Sequence, residues 1–474
     1  MPLKQFTTDF QGLGKEISFR YDVDFLDFQR GFLVENYYSF DNLFDFSSKN
    51  KVNLDSLDDD FFYVEIGNVS KEGDIEPVKL NFNERKEEEE NYYKKIEKGD
   101  IICAEKNNIL IAKVRPNLKK YVLMDGENQK YFYTSAFVHL VPKRLNKILY
   151  YSFRTIFYEN LIAISRQGKG YPTLKENDFY YLKFDKKIID KLSKKQDQII
   201  AEIEPIEKKI KELKSQITPP QEIINKVFVR EFKFDLKKFE ELKKIKNYYL
   251  ELSKFADNRD IRQSVKFHRE GGAFVISQLK KVTDKRIKHF LAEPIVLGKG
   301  VSPSNYDDNG DYFYISMANI KNWKFESDDT RLVSREYSRK NLNKTVSKDD
   351  ILIARSGEGT IGKVAVIDDE DIQGIFADFT MRIRLKNYNP LFAYYYFRTD
   401  YFQYLIEVNK KGLGNNTNIF PGQIQEFPMI DIPLKSQQKI VDEIKTELDK
   451  QEEMKKKIET QRNKIDEIIE NAIK

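Results

Sequence analysis

The run Gly357-Glu358-Gly359-Thr360-Ile361-Gly362-Lys363 has the spacing G-x-x-x-x-G-K, in which glycines let backbone N–H groups close around a phosphate and a lysine neutralises it. The next residue is Val364, where such a loop needs a hydroxyl for magnesium. The apolar residues beyond it read as another strand, not as the helix whose N-terminus would hold a phosphate. A β-hairpin with a glycine-rich turn accounts for the run without a nucleotide. Other catalytic constellations are missing. There is no G-x-S-x-G and no H-E-x-x-H. The nearest approach to the Asn-Pro-Pro-aromatic tetrapeptide of amino-methyltransferases, Asn389-Pro390-Leu391-Phe392, lacks the second proline. One cysteine, Cys103, and three scattered histidines, His139, His268 and His289, leave no disulfide framework, no cysteine-based zinc site and little for triad chemistry. Carboxylates sit in mixed-charge runs such as Glu87 to Glu90, which read as solvated faces. The chain reads as non-catalytic, with no catalytic residue, metal or cofactor of its own.

What remains is a set of polar and basic loops. Arg166-Gln167-Gly168-Lys169-Gly170-Tyr171 aligns with Lys410-Lys411-Gly412-Leu413-Gly414-Asn415-Asn416-Thr417 at an offset of 244. Glycine lets a backbone approach a ligand, Lys and Arg neutralise phosphates, and Arg, Asn and Gln carry the paired donors and acceptors that match base edges. At the glycine-rich run, Arg355, Ser356 and Glu358 stand opposite Glu105, Lys106, Asn107 and Asn108 in the other copy, which has no glycine there. The candidate DNA-contacting residues are therefore Lys106, Asn107, Asn108, Arg166, Gln167, Lys169 and Tyr171 in one copy. In the other they are Arg355, Ser356, Glu358, Lys410, Lys411, Asn415, Asn416 and Thr417. For each, a solvated loop side chain is the bland alternative.

The chain repeats its plan. Lys98-Gly99-Asp100-Ile101-Ile102 recurs as Lys348-Asp349-Asp350-Ile351-Leu352, and Ile111-Ala112-Lys113-Val114 as Ile361-Gly362-Lys363-Val364, both at an offset of 250. Tyr151 to Thr155 returns as Tyr395 to Thr399 at 244, and Gln196, Ile199, Glu202 and Ile203 return as Gln437, Ile440, Glu443 and Ile444 at 241. Order kept over such a distance indicates a tandem duplication of a unit of roughly 240 residues, long enough to be a domain. Each copy opens with a strand-like run, Phe61 to Ile66 and Tyr312 to Met317. Further strands are predicted at Ile101 to Ala104, Ile109 to Val114, Ile351 to Ala354 and Lys363 to Ile367, and helices at Asn146 to Tyr158 and Pro390 to Ile406. The fold class is α+β, with two duplicated domains of mixed content.

A heptad seam follows each globular part. Ile199, Ile203, Ile206, Ile210, Leu213 and Ile217 are spaced alternately four and three apart, as are Met454, Ile458, Gln461, Ile465, Ile468 and Ala472. Pro205 should kink the first helix or mark its start, and Pro219-Pro220 ends it. Two seams of one period in one chain can satisfy each other, as an antiparallel coiled coil with pseudo-two-fold symmetry. Gln196 to Ile217 would span roughly 33 Å, close to the approximately 34 Å of one turn of B-form DNA. The expected boundaries are 1–184 for the first globular domain, 185–232 for the first helical region, 233–431 for the second domain and 432–474 for the second helical region.

Composition sets wide bounds. With 474 residues, 40% hydrophobic, 33% charged and 13% aromatic, the chain reads as a soluble protein. The net charge of +5, from 81 basic and 76 acidic side chains, permits a polyanionic partner only if the positive charge gathers on one face. Neither an export signal nor a membrane span is legible, and a cytoplasmic setting fits.

The segment Asp350-Ile351-Leu352-Ile353-Ala354-Arg355-Ser356-Gly357-Glu358-Gly359-Thr360-Ile361-Gly362-Lys363-Val364 resembles a signature of the specificity (S) subunits of type I restriction-modification systems. So does Pro433-Leu434-Lys435-Ser436-Gln437-Gln438-Lys439-Ile440-Val441 at the head of the last helix. The resemblance extends over essentially the whole chain, save the glycine-rich signature in copy one and a Lys-rich stretch, Phe234 to Glu270, that has no assignment. It implies two target-recognition domains, each reading half of a split, asymmetric double-stranded DNA target, with paired helices that set the unspecified gap. It further implies docking of two methyltransferase subunits, and helicase-nuclease subunits in the full complex. S-adenosylmethionine, ATP and magnesium would belong to those partners. The alternative is the DNA-recognition chain of a type II or phage-exclusion methylation system.

Overall fold

A computed structural model describes residues 25, 36–47, 60–81, 94, 98, 100–167, 171–245, 247–251, 253, 262, 264–327, 330–357, 359–412 and 417–474. The chain forms two compact units: residues 1–216 together with 455–474, and residues 217–454.

In the first unit, the aliphatic run Ile109–Ala112 is an inner strand of a four-stranded sheet in the order Phe44–Phe46, Phe137–Pro142, Ile109–Ala112, Tyr121–Leu123. All four of its residues are buried, as expected of a strand covered on both faces. A second sheet runs Val78–Asn81, Asp60–Val64, Phe132–Thr134, Ile101–Ile102, and the pair Asp60–Val64 with Phe132–Thr134 is parallel. The second unit repeats this plan. Val296–Leu297, Thr380–Ile383, Ile351–Ala354 and Val364–Val366 make the four-stranded sheet. Leu332–Val333, Tyr312–Ile315 and Gly374–Phe376 make the other, again with one parallel pair. The unit is thus α+β in both copies, as the sequence predicts.

The register of the duplication differs from the one read in the sequence. Ile109-Leu110-Ile111-Ala112 and Ile351-Leu352-Ile353-Ala354 are the same tetrapeptide in the same place in the same sheet, at an offset of 242. The turns before them agree atom for atom. Glu105 N donates to Asn108 Oδ1 at 3.0 Å and Ser347 N to Asp350 Oδ2 at 2.8 Å. Asn107 and Asp349 both have φ of 71°, and their N–H groups reach Met124 O and Ile367 O, at 2.8 Å each. So Lys106-Asn107-Asn108, and not Lys98-Gly99-Asp100, is the counterpart of Lys348-Asp349-Asp350. The glycine-rich run answers to Lys113 to Lys120. The earlier runs do correspond as predicted: Glu65 N caps onto Asn68 Oδ1 at 2.8 Å and Ser316 N onto Asn319 Oδ1 at 2.9 Å.

Both predicted helices are present in two pieces. Asn146–Arg154 is followed by Tyr158–Ala163. Pro390–Arg398, capped by Asn389, is followed by Asp400–Asn409, capped by Thr399, whose side chain accepts from Phe402 N. These aromatic-rich helices carry the core of the second unit, where Phe392, Tyr396, Phe397 and Phe402 are fully buried with Ile351, Ile353 and Met381. The Lys-rich stretch after Phe234 supplies the helix Leu236–Lys243 to that core, with Phe239 stacked 4.8 Å from Tyr401, and the helix Glu270–Lys280 that follows the stretch supplies Val275 and Leu279.

The first seam helix runs Gln196–Ser215 straight through Pro205, so Pro205 neither starts nor ends it. Ile199, Ile203 and Ile210 are buried, while Ile206, Leu213 and Ile217 are half-buried. The last helix is a single span, Leu434–Ile473. Its buried stripe near the end is Ile458, Ile465, Ile469 and Ala472, so Ile469 takes the place expected of Ile468, which is half-buried together with Met454 and Gln461. Within the first unit the two helices are antiparallel. Lys191 Nζ donates to Ile473 O at 2.7 Å and Lys195 Nζ to Ala472 O at 3.1 Å, whereas Lys214, at the far end of the first helix, shares Asp74 with Arg462. Asp74 lies in a turn closed by Gly73 N on Ser70 O, and Gly73 has φ of 84° with Tyr121 O where a Cβ would stand. Burial pushes the Asp74 carboxyl up, but Lys214 and Arg462 outweigh it and hold it below the usual carboxylate range.

Candidate nucleic-acid interface

In the second unit the strand Ile351–Ala354 ends where the glycine-rich loop begins, and Val364–Val366 returns antiparallel beside it. The loop is therefore a β-hairpin turn. No helix follows it, which removes the geometry a phosphate loop requires. Gly357, Gly359 and Gly362 have φ of 86°, 79° and 85°, in the left-handed region that glycine enters at no steric cost. In the first unit the equivalent loop turns with Arg115 (φ 51°) and Lys119 (φ 52°), so left-handed positions are kept while side chains replace hydrogens.

A second segment closes on this loop in each unit. Ile419 N donates to Arg355 O at 2.9 Å and Gly357 N to Thr417 O at 3.3 Å. In the first unit Leu174 N donates to Lys113 O at 2.7 Å and Arg115 N to Pro172 O at 2.9 Å. Lys113 is thus the counterpart of Arg355, and Arg166, paired with Thr173, is the counterpart of Lys411, paired with Asn418. That is one residue away from the alignment read in the sequence.

Arg355, Ser356, Lys411 and Thr417 come together in the second unit. The Arg355 guanidinium donates from Nη2 to Asn418 Oδ1 at 3.1 Å and lies 5.5 Å over the Phe420 ring. Its Nε is buried with no hydrogen-bond partner among the described residues, as is Thr417 Oγ1. Ser356 is buried and takes part through its backbone, its O accepting from Thr360 Oγ1 at 2.8 Å. Lys410 is turned inward, 2.7 Å from Glu407, which also meets Lys266 at 3.0 Å. Burial pushes the Glu407 carboxyl up, and these two ammonium groups bring it below its ordinary value. Lys410 is a structural ion-pair member, so its charge is already answered.

The first unit does not assemble its predicted set. Lys106, Asn107 and Asn108 precede the strand Ile109–Ala112, and Arg166 and Tyr171 lie beyond its other end, about 13 Å away along four residues. Asn108 is buried and accepts from His139 Nε2 at 2.6 Å. Arg166 is committed to Asp178, a fully buried carboxylate, with Nε and Nη2 at 2.9 and 2.7 Å from Oδ1. Tyr171 is exposed, with Arg115 5.2 Å over its ring. The basic residues the loop does gather are others than those its sequence pattern singles out. Lys113 Nζ donates to Ser135 O at 2.7 Å, and Lys119 Nζ to Arg154 O at 2.8 Å while lying 4.2 Å over Tyr158. Lys120 Nζ donates to Ile66 O at 2.9 Å. The signal that could have found them is the repeated Ile-Leu-Ile-Ala, which sets Lys113 against Arg355. Lys169, Glu358, Asn415 and Asn416, and the side chain of Gln167, lie outside the described residues.

Residues 294–462 match the family model of the type I restriction modification DNA specificity domain. No curated protein matches the chain. Among solved structures, the HsdS subunit from Thermoanaerobacter tengcongensis is 14% identical, with 92% of this chain and 96% of that one covered, at a TM-score of 0.30. The type I restriction-modification S subunit from M. genitalium is also 14% identical, over 92% of this chain and 95% of that one, at 0.36. A chain of a type I R-M system solved for its assembly and conformational transition gives 14%, 92%, 97% and 0.38. The matched segment takes in the four-stranded sheet of the second unit, its glycine-rich hairpin, the closing segment around Asn418 and most of the last helix. Residues 294–462 are thus similar to the type I restriction modification DNA specificity domain, and the likeness to the specificity subunits of those systems, read first in the sequence, is borne out there.

Proposed function

We propose that the chain is the non-catalytic DNA-specificity subunit of a type I restriction-modification complex. In this reading each unit recognises one half of a split, asymmetric target in double-stranded DNA, and the seam helices set the unspecified gap between the halves and dock two methyltransferase subunits. Helicase-nuclease subunits complete the restriction assembly, and S-adenosylmethionine, ATP and magnesium are bound by those partners. The observation that carries the reading is the family match of residues 294–462, joined to the repetition of the same two-sheet plan in the first unit. Two copies of one scaffold with unlike loops suit two different half-sites: Arg355, Ser356 and Gly357 stand where the first unit has Lys113, Val114 and Arg115. Arg355 is the best placed base reader, because a guanidinium held by Asn418 and Phe420 presents its remaining donors in a fixed direction. The proposed boundaries of the recognition domains and helical regions, 1–184, 185–232, 233–431 and 432–474, follow the same plan.

Methylome sequencing of a host carrying this chain with its methyltransferase tests the reading. A bipartite motif with an unspecified middle is the expected result, and an uninterrupted palindrome would overturn it.

A further inference from the structure

The turn Ala377-Asp378-Phe379-Thr380 joins two strands of the second unit and carries a large apolar side chain outward: Phe379 is 48% exposed, although its neighbours Ala377 and Thr380 are buried. The turn is held from every side. Thr380 N and Oγ1 both reach Ala377 O, at 3.0 and 2.7 Å. Gly298 N donates to Thr380 O at 3.1 Å and Lys299 N to Phe376 O at 3.0 Å, an approach so close that a Cβ at Gly298 would stand 2.1 Å from two carbonyl oxygens. Tyr314 and Tyr337 fix the Gly298 segment in turn, with hydroxyls 2.9 and 3.3 Å from Lys299 O. Arg355 N donates to Phe379 O at 3.0 Å, so the turn is tied through its backbone to the strand end whose arginine meets Asn418 and Phe420. The adjacent carboxylate lies by Gly300, where a Cβ would stand 3.3 Å from Asp378 Oδ2. The first unit has Ala136 at the equivalent place, since Lys113 N donates to Ala136 O at 2.9 Å.

An exposed ring on a turn whose backbone is fixed, one backbone hydrogen bond from Arg355, matches a surface that neutralises a phosphate backbone and stacks on what lies between the strands. Resting on the DNA-recognition reading above, we propose that Phe379 is a specificity-determining wedge that stacks against, and locally opens, a base step in the half-site of the second unit alone. A wedge reads sequence through the ease of unstacking, so it favours flexible pyrimidine–purine steps without touching a base edge.

The test uses the complex of the full chain with its methyltransferase subunits and duplexes carrying 2-aminopurine at successive positions of the target. The wild-type complex should brighten the probe at one step of one half-site. Phe379→Ala should lose that signal and weaken target binding about ten-fold, with an unchanged melting temperature, and Phe379→Trp should retain both. Equal affinity and an equal signal in Phe379→Ala would overturn the proposal, as would loss of methyltransferase binding in that variant, which would make the ring a protein contact. A wild-type complex with no sequence preference on DNA would instead remove the functional reading itself.

Discussion

His139 and Asn108 show how one residue position can keep its job and change its chemistry between copies. Asn108 Oδ1 accepts from Glu105 N and from His139; in the second unit Asp350 accepts from Ser347 N and from Arg384, at 2.7 Å, while Arg382 occupies the place of His139. Burial pushes the His139 imidazole down to about 4 from 6.5. Its folded pKa lies below its unfolded one, so between these values the unfolded chain binds the extra proton. Stability should be full above pH 6.5 and fall as pH drops through that window, by up to about 3 kcal/mol. Thermal melts of the first unit's transition from pH 7.5 to 4.5 should show this loss, and His139→Gln, which retains a donor for Asn108, should flatten it. Arg166 makes a different prediction from the one its sequence context suggests. Arg166→Ala takes the guanidinium from the buried Asp178 carboxylate, which keeps its hydrogen bond from Lys175 N, and should cost about 3 kcal/mol in the melt, a stability effect that precedes any effect on DNA. Arg355→Ala should leave the fold intact and relax selectivity at one position of one half-site by about 1–3 kcal/mol, read from competition binding against single-base variants.

Hairpins and strands were the most legible elements. Ile109–Ala112 and Ile351–Ala354 declare themselves as short, wholly aliphatic runs, and the hairpin reading of the glycine-rich run holds. The register between the copies misled because Lys-x-Asp-Ile occurs at Lys98 as well as at Lys348, and local likeness says nothing about which strand pairs with which. The interface was half legible for a related reason. Left-handed turns are visible when glycine makes them, as at Gly357, and invisible when Arg115 or Lys119 does. The inward fate of Lys410 and Arg166 depends on Glu407 and Asp178, which no spacing rule connects to them. Gly362 offers the sharpest test of the hairpin. Its φ of 85° and the contacts a Cβ would make, 2.9 Å to Gln403 Oε1 and 3.0 Å to Ile406, predict that Gly362→Ala loses at least about 1–2 kcal/mol. Calorimetry with ATP and magnesium should detect no nucleotide binding in either form, and binding that Lys363→Ala abolished would revive the phosphate-loop reading.

At the scale of the whole molecule, the seam makes the proposed gap adjustable. Adding one heptad after Lys209 and one after Lys457 keeps the apolar stripe in phase and lengthens each helix by roughly 10 Å. The methylated motif should keep both half-sequences and gain about three unspecified base pairs. An altered half-sequence, or an unchanged gap in a folded and active protein, would leave the helices as docking surfaces only.

The last helix, Leu434–Ile473, has a consequence for how the protein comes into being. Its first half, through Ile440, Val441 and Ile444, belongs to the core of the second unit, and its final twenty residues belong to the first. During synthesis at ~5–20 residues per second, the first unit therefore waits roughly 12 to 50 seconds, while some 240 further residues are made, before the stripe of Ile199, Ile203 and Ile210 meets its partner. Throughout that interval the stripe lacks the cover that the last helix brings, and the first unit completes its core only when the end of that helix has been made.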